Sequence, residues 1–279
     1  MERIRDELRA AAGPDLAAQL PTGYQRLGHV LMVRWPESLR PEYPRLAEAF
    51  RRTLGVRTIL RHAGPIEGEF RTPRVEVLLE GPTETEVVEQ GVRWKLDAAR
   101  IMFAAGNRAE RVRAGQLVRP GETVVDLFAG IGYFALPAAK VGRAARVLAV
   151  DRNPLSVHYL EENARRNGVG DRVDPRLGDN RSVALPRGTA DRVFLGYLPS
   201  AVPWVELAIP LLRTSGGWLH VHSVVDAHGA LPSAEGEVTR AVARAGGTLD
   251  PPARAREVKP YGPGRTHVVV DAFVVPPRR

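Results

Sequence analysis

The sequence predicts an α/β protein in which a parallel sheet flanked by helices follows a smaller α+β unit. Three observations carry that prediction. From Glu122 onward, strand-length apolar runs alternate with helix-length amphipathic runs, the pattern of a parallel sheet covered on both faces. The stretch VVDLFAGIGYFA (Val124–Ala135) joins an apolar strand to a helix through a glycine turn. The first ninety or so residues instead hold several strands around one clear helix. The expected domains are therefore residues 1–93 and residues 94–279.

In chain order, MERIRDELRAAAGPDLAAQL patterns as a short amphipathic helix, a Gly-Pro break and a further helical turn. YQRLGHVLMVRW has the apolar run of a strand, ended by Pro36. PEYPRLAEAFRRTLG is a helix with Gly55 placed to cap its C-terminus. VRTILRHAG, RVEVLLEG and TEVVEQGVRWKLD are strands punctuated by Gly-Pro turns. ETVVDLF and ARVLAVD are strands, and NPLSVHYLEENARRNG is a helix with Pro154 in its first turn and Gly168 at its end. ADRVFLGY is a strand, WVELAIPLLR a helix in spite of Pro210, and GGWLHVHSV a strand. EGEVTRAVARAGG is a helix, after which RAREVKPYGP leads into the closing strand RTHVVVDAFVV. Ligands of such sheets bind beyond the strand C-termini, where the strand order reverses.

Bulk composition excludes several classes. At 44% hydrophobic and 26% charged residues, the 279-residue chain has the balance of a soluble globular protein. No basic-plus-apolar leader is visible, the apolar runs are too short to span a bilayer, and a cytoplasmic protein is expected. The absence of cysteine excludes disulfides, thiolate metal sites and a cysteine nucleophile. Residues 1–93 balance 14 arginines against 14 acids, so the whole net charge of +8 falls in residues 94–279. Nearly all the cations are arginine, whose planar fork grips phosphate; a GC-rich codon bias would give the same excess.

The turn Gly130-x-Gly132-x-x-Ala135 suits two cofactors. It satisfies a dinucleotide fingerprint, and Asp151 follows Gly130 by 21 residues, where a ribose-binding acid belongs. Three features favour S-adenosylmethionine over a nicotinamide. Asp126 stands where a dinucleotide strand would carry an apolar residue, and its carboxylate can organise the loop or meet the cationic end of a sulfonium amino acid. Asp179-Asn180 in LGDNR ends a strand and offers an acceptor to an adenine amino group with donors nearby, although a turn or cap would use the same residues. The fingerprint also lies mid-chain, behind a complete small domain. His220 and His222 alternate on one strand face without an obvious third ligand, so no metal is expected and a strand-end or substrate-side role is. Trp35, Trp94, Trp204 and Trp218 are weighed as base-stacking residues but fit core packing better.

Taken together, GEFR (Gly68–Arg71), EQGVRWKLD (Glu89–Asp97), MFAAGNRAERVR (Met102–Arg113), VVDLFAGIGYFALP, GDNR, LGYLPS (Leu195–Ser200), GGWLHVHS and VKPYGPGRTHVVVD form a specific set. With these motifs the chain resembles the tRNA wybutosine-synthesising aminocarboxypropyltransferases, relatives of the tRNA guanine-N1 methyltransferases that act beside the anticodon. The resemblance implies a Rossmann-like S-adenosylmethionine-dependent transferase domain behind a small substrate-side domain. It implies transfer of the 3-amino-3-carboxypropyl group to a modified guanine of phenylalanine tRNA, releasing methylthioadenosine. Gly196-Tyr197-Leu198-Pro199 stands where the methyltransferases resemble Asn-x-Pro, and Gly106 stands where they carry arginine; both departures favour the aminocarboxypropyl branch. Cofactor contacts implied are the Ala104 region (often serine in the family), Arg111 (lysine in the family), Asp151, Asp179 and Asn180, beside Asp126, Gly130 and Gly132 read from the turn. Tyr197 and Pro199 lie where the acceptor base should approach. A small molecule or peptide remains an alternative acceptor, because the front domain is charge-neutral, and tRNA guanine-N1 methylation remains the alternative reaction.

Overall fold

A computed structural model describes residues 13, 23–64 and 68–277. The helices expected in the first twenty residues lie outside the described residues, Gly13 excepted. The chain divides into two compact units, Met1–Val88 with Trp94–Ala105, and Glu89–Arg93 with Gly106–Arg279.

The first unit holds a four-stranded sheet in the order β1 (Tyr24–Leu27), β2 (Val30–Val33), β3 (Thr58–His62), β4 (Val75–Leu79). Helix α1 (Tyr43–Leu54) carries the chain from β2 to its parallel neighbour β3; the other two pairs are antiparallel. YQRLGHVLMVRW is thus a hairpin and not the single strand expected, because the chain reverses at Gly28 with a φ of 56°. Helix α1 ends as its sequence predicts, with Gly55 left-handed and its N–H donating to the Arg51 carbonyl at 2.9 Å. Its buried face, Tyr43, Leu46, Ala47 and Phe50, closes over Leu31, Val33, Trp35 and Ile59. Trp35 and Trp94 are both core residues, at 4% and 1% exposure. TEVVEQGVRWKLD also folds back, as β5 (Glu84–Glu89) and β6 (Val92–Asp97). Gln90 and Gly91 both take positive φ, 49° and 76°, as a two-residue type I′ turn requires.

The second unit is a mixed sheet. In chain order it comprises α2 (Arg108–Leu117), β7 (Thr123–Asp126), α3 (Ala135–Lys140), β8 (Arg146–Asp151), α4 (Pro154–Arg166), β9 (Val173–Leu177) and β10 (Arg192–Leu195). There follow α5 (Val205–Ala208), β11 (Gly217–Asp226), α6 (Ala230–Arg244), β12 (Thr248–Leu249), β13 (Arg254–Gly262) and β14 (Arg265–Val275). The path is β12-β14-β11-β10-β7-β8-β9, with β13 paired to β14. Strands β9, β8, β7, β10 and β11 are mutually parallel, as expected. Strand β14 runs antiparallel to β11 and takes β12 and β13 as antiparallel partners, so the sheet is not wholly parallel. The reason is local: only Pro263-Gly264 separates β13 from β14, and a connection that short permits only an antiparallel pair. WVELAIPLLR is broken as well, into a 3₁₀ turn at Val202–Trp204, the single turn α5, and another 3₁₀ turn at Ile209–Leu211 around Pro210, which lacks an N–H.

One face of this sheet, with Val125, Leu148, Val193, Leu219, Val221 and Val270, packs with Val238 and Val242 of α6 into a continuous apolar core. Arg192, Phe194, His220 and His222 alternate with those residues and are buried on the opposite face. Chain order runs outward from β7 through β8 and β9 on one side. It resumes at β10 and β11 on the other, so the order reverses between β7 and β10.

Candidate functional site

The glycine turn leaves β7 at this reversal point. Gly130 and Gly132 take φ values of 54° and 99°, which side chains beyond glycine rarely adopt. Space restricts them too: a Cβ on Gly130 would meet the Tyr133 ring at 2.6 Å, and one on Gly132 would meet Leu136 Cγ at 2.5 Å. Asp151, at the end of β8, fixes the turn from the side. Its Oδ2 accepts from the Gly130 N–H at 2.8 Å and its Oδ1 from the Asn153 N–H at 2.9 Å. Burial raises the Asp151 pKa, opposed by those backbone donors.

Asp126 is fully buried at the end of β7. Its Oδ1 accepts from the Phe128 N–H at 3.2 Å, while Oδ2 has no hydrogen-bond partner. Burial pushes its pKa up to about 7, with the Asp151 charge adding to the rise.

Asp179 and Asn180 follow β9. The Asp179 Oδ1 accepts from the Arg181 N–H at 2.8 Å, holding its own turn. Asn180 is buried and satisfied at both ends: Nδ2 donates to the Leu127 carbonyl at 3.1 Å, and Oδ1 accepts from Trp204 Nε1 at 3.0 Å. Beyond β10, the half-buried Tyr197 ring lies 5.1 Å from both Phe128 and Trp204, and Pro199 is exposed. The structure therefore gathers Asp126, Gly130, Gly132, Asp151, Asp179, Asn180, Tyr197 and Pro199 around the C-terminal ends of β7 to β10. A cleft of about 490 Å³ opens beside Asn180, between Arg181, Arg187, Pro203 and Leu207, but the glycine turn, Asp151 and Tyr197 do not line it.

Arg111 is buried in α2. Glu89 takes its Nε and Nη2 edge in a two-point ion pair, both bonds 2.8 Å. Nothing in the spacing of the two residues announces this pair. Ala104 belongs to the first unit, half-buried just before the 3₁₀ turn Ala105–Asn107.

The strand histidines sit in the interior, away from the strand ends. Arg192 Nη1 donates to His220 Nε2 at 2.6 Å, so the ring proton is on Nδ1, which donates to Asp271 Oδ1 at 2.6 Å. His222 pairs with His267 at 2.9 Å, and burial pushes both pKa values down to about 3, keeping them neutral. Beside them the buried Glu110 receives Arg113 and Arg256. Among the described residues no group of three or more metal-ligating side chains converges, and no helix is long and apolar enough to cross a membrane.

A Rossmann-like unit with an acid at the end of its second strand and a glycine turn at its switch point defines a class of nucleoside-cofactor-binding proteins. The family model described as the TRM5/TYW2 methyltransferase domain matches residues 85–242, and the TYW2 N-terminal domain matches residues 4–83. The tRNA(Phe) (4-demethylwyosine(37)-C(7)) aminocarboxypropyltransferase of Pyrococcus horikoshii is 36% identical over 272 residues, 98% of this chain and 96% of that one. Crystal structures of P. horikoshii TYW2 in complex with MeSAdo (33% identity, TM-score 0.83) and of Methanocaldococcus jannaschii TYW2 in complex with AdoMet (31%, TM-score 0.72) are similar folds. The first match covers 98% of both chains, and the second covers 90% of this chain and 99% of that one. The chain belongs to the TRM5/TYW2 family.

Proposed function

We propose that this protein transfers the 3-amino-3-carboxypropyl group of S-adenosylmethionine to C7 of a 4-demethylwyosine-type guanine in tRNA(Phe). The observation that carries the proposal is the end-to-end similarity to an aminocarboxypropyltransferase, in both domains and over 98% of the chain. The MeSAdo in a related structure is 5′-methylthioadenosine, the by-product this transfer leaves.

The residues at the switch point suit that substrate. Asp151 faces the ribose hydroxyls with lone pairs beyond those taken by Gly130 and Asn153. Asp179 lies at the adenine side, and Asn180 holds that wall to β7 through Leu127 and Trp204. Asp126 keeps the turn in shape through Phe128. Arg111 brings positive charge to the methionyl side, oriented by Glu89; Ala104 lies in the adjoining stretch of chain. Tyr197 and Pro199 border the acceptor. In the reaction the acceptor carbon attacks the γ-carbon of the methionyl chain. The γ-carbon–sulfur bond breaks with its electron pair left on sulfur, methylthioadenosine departs, and the acceptor carbon loses its proton to water. Positioning supplies much of the rate, and no covalent enzyme intermediate is needed.

The test is the by-product formed from labelled S-adenosylmethionine and tRNA(Phe) carrying the precursor base. Methylthioadenosine is expected. S-adenosylhomocysteine would instead establish methyl transfer and refute the proposal.

A further inference from the structure

Lys259, in β13, is one of few lysines in an arginine-rich chain, and its placement is unusual. Its side chain lies directly over Gly106: a Cβ added there would stand 3.0 Å from Lys259 Cδ and 3.1 Å from Nζ. No side chain larger than hydrogen fits at position 106 without displacing the lysine. The ammonium is half-buried, and among the described residues no carboxylate pairs with it. Burial lowers its pKa, and the nearby Arg111 guanidinium lowers it further, so both influences oppose its charge. Arg111 is neutralised by Glu89 at 2.8 Å, whereas among the described residues Lys259 has no such counter-charge. A partly desolvated cation held beside another cation is unfavourable unless an anion joins them.

We infer that Lys259, seated on Gly106 beside Arg111, is the binding residue for the α-carboxylate of S-adenosylmethionine. The role rests on the transferase function proposed above and specifies where the methionyl tail is held. The sulfonium carries three carbons, and rotation about the bond from sulfur to the ribose carbon decides which one faces the acceptor. Holding adenosine alone leaves that rotation free. Holding the carboxylate, at the far end of the methionyl chain, fixes the γ-carbon. A two-point grip by Arg111 on the ligand is unavailable at the edge Glu89 occupies, while the ammonium is a point charge that accepts a carboxylate from several directions.

The experiment is calorimetric titration of wild type, Lys259→Met and Lys259→Arg with S-adenosylmethionine, decarboxylated S-adenosylmethionine and methylthioadenosine. Lys259→Met is expected to weaken S-adenosylmethionine by about tenfold or more, the scale of a lost charged hydrogen bond, and to change the two carboxylate-free ligands by less than about twofold. Lys259→Arg should recover most of the loss. Unchanged affinity for S-adenosylmethionine, or equal losses for all three ligands, would overturn the assignment. Should Lys259→Met not fold, Lys259→Gln gives the same comparison. The by-product assay on wild type separates the two proposals. Methylthioadenosine with no selective loss at Lys259 refutes the lysine alone, whereas S-adenosylhomocysteine refutes the transferase proposal whatever the titrations give.

Discussion

Replacing Asp126 by asparagine should change how the stability of the second unit depends on pH. Asp126 is fully buried, with one oxygen on the Phe128 N–H and the other unpartnered, and its pKa is raised from 3.8 to about 7. A carboxyl whose folded pKa lies above its unfolded value ionises in the unfolded chain first. Stability is therefore lost as pH rises from near 4 and levels off above about 7. At about 1.4 kcal/mol per pKa unit, the full loss is about 4 kcal/mol, of which about 3 falls between pH 5 and pH 8. Asparagine does not titrate and keeps an acceptor for Phe128, although its amide group takes the place of the unpartnered oxygen. The absolute stabilities will consequently differ by an offset, and the slope is the quantity to read. Denaturant unfolding of both proteins at pH 5, 6, 7 and 8 measures it. The unfolding free energy of wild type should fall relative to Asp126→Asn by about 3 kcal/mol across that range. Parallel curves would refute the argument and mean that Asp126 is ionised in the fold.

Asp151→Ala should weaken S-adenosylmethionine and methylthioadenosine alike, by about 1–3 kcal/mol in calorimetry, because both carry the ribose; a loss confined to one ligand contradicts a ribose contact. Glu110→Ala removes one of the two carboxylates paired with Arg113, leaving Asp271, and releases the partly exposed Arg256 to solvent, so it should cost about 1–3 kcal/mol in denaturant unfolding; a cost near zero would show the network to be energetically neutral. If tRNA binds through about six phosphates, log affinity should fall linearly with log salt at about −0.9 per contact on duplex regions. Changing the exposed Arg165 and Arg166 of α4 to alanine together should flatten that slope and leave S-adenosylmethionine affinity alone; a slope near zero in wild type would exclude an electrostatically bound tRNA.

Local signals in the sequence were strongest where a residue type is dictated by backbone or burial. Gly55, Gly130 and Gly132 are legible because each occupies a positive φ, and Asp126 because a carboxylate in an apolar strand has few bland explanations. Strand reversal was less legible. YQRLGHVLMVRW and TEVVEQGVRWKLD each read as one strand, since neither Gly-His nor Gln-Gly carries the usual Asn-Gly signature of a tight turn. The final strand was expected, but its antiparallel pairing with β13 follows from the two-residue turn before it and not from its own apolar pattern.

Side-chain partnerships mark the limit of sequence reading at the site itself. Asn180 looks like a free donor and acceptor in LGDNR, yet Leu127 and Trp204, 53 and 24 residues away, satisfy its side chain. Arg111 looks like an open fork, yet Glu89, 22 residues earlier at the end of β5, takes one edge of it. In both cases the fold gives a residue with ligand-like chemistry a protein partner that its local sequence does not announce. Lys259 of β13, by contrast, lies over Gly106 with no carboxylate paired to it among the described residues. Charge that the fold leaves uncompensated is thus a sharper guide to where an anionic group docks than charge the sequence merely contains. At this site it singles out the lysine inside VKPYGP, beside the ion-paired Arg111.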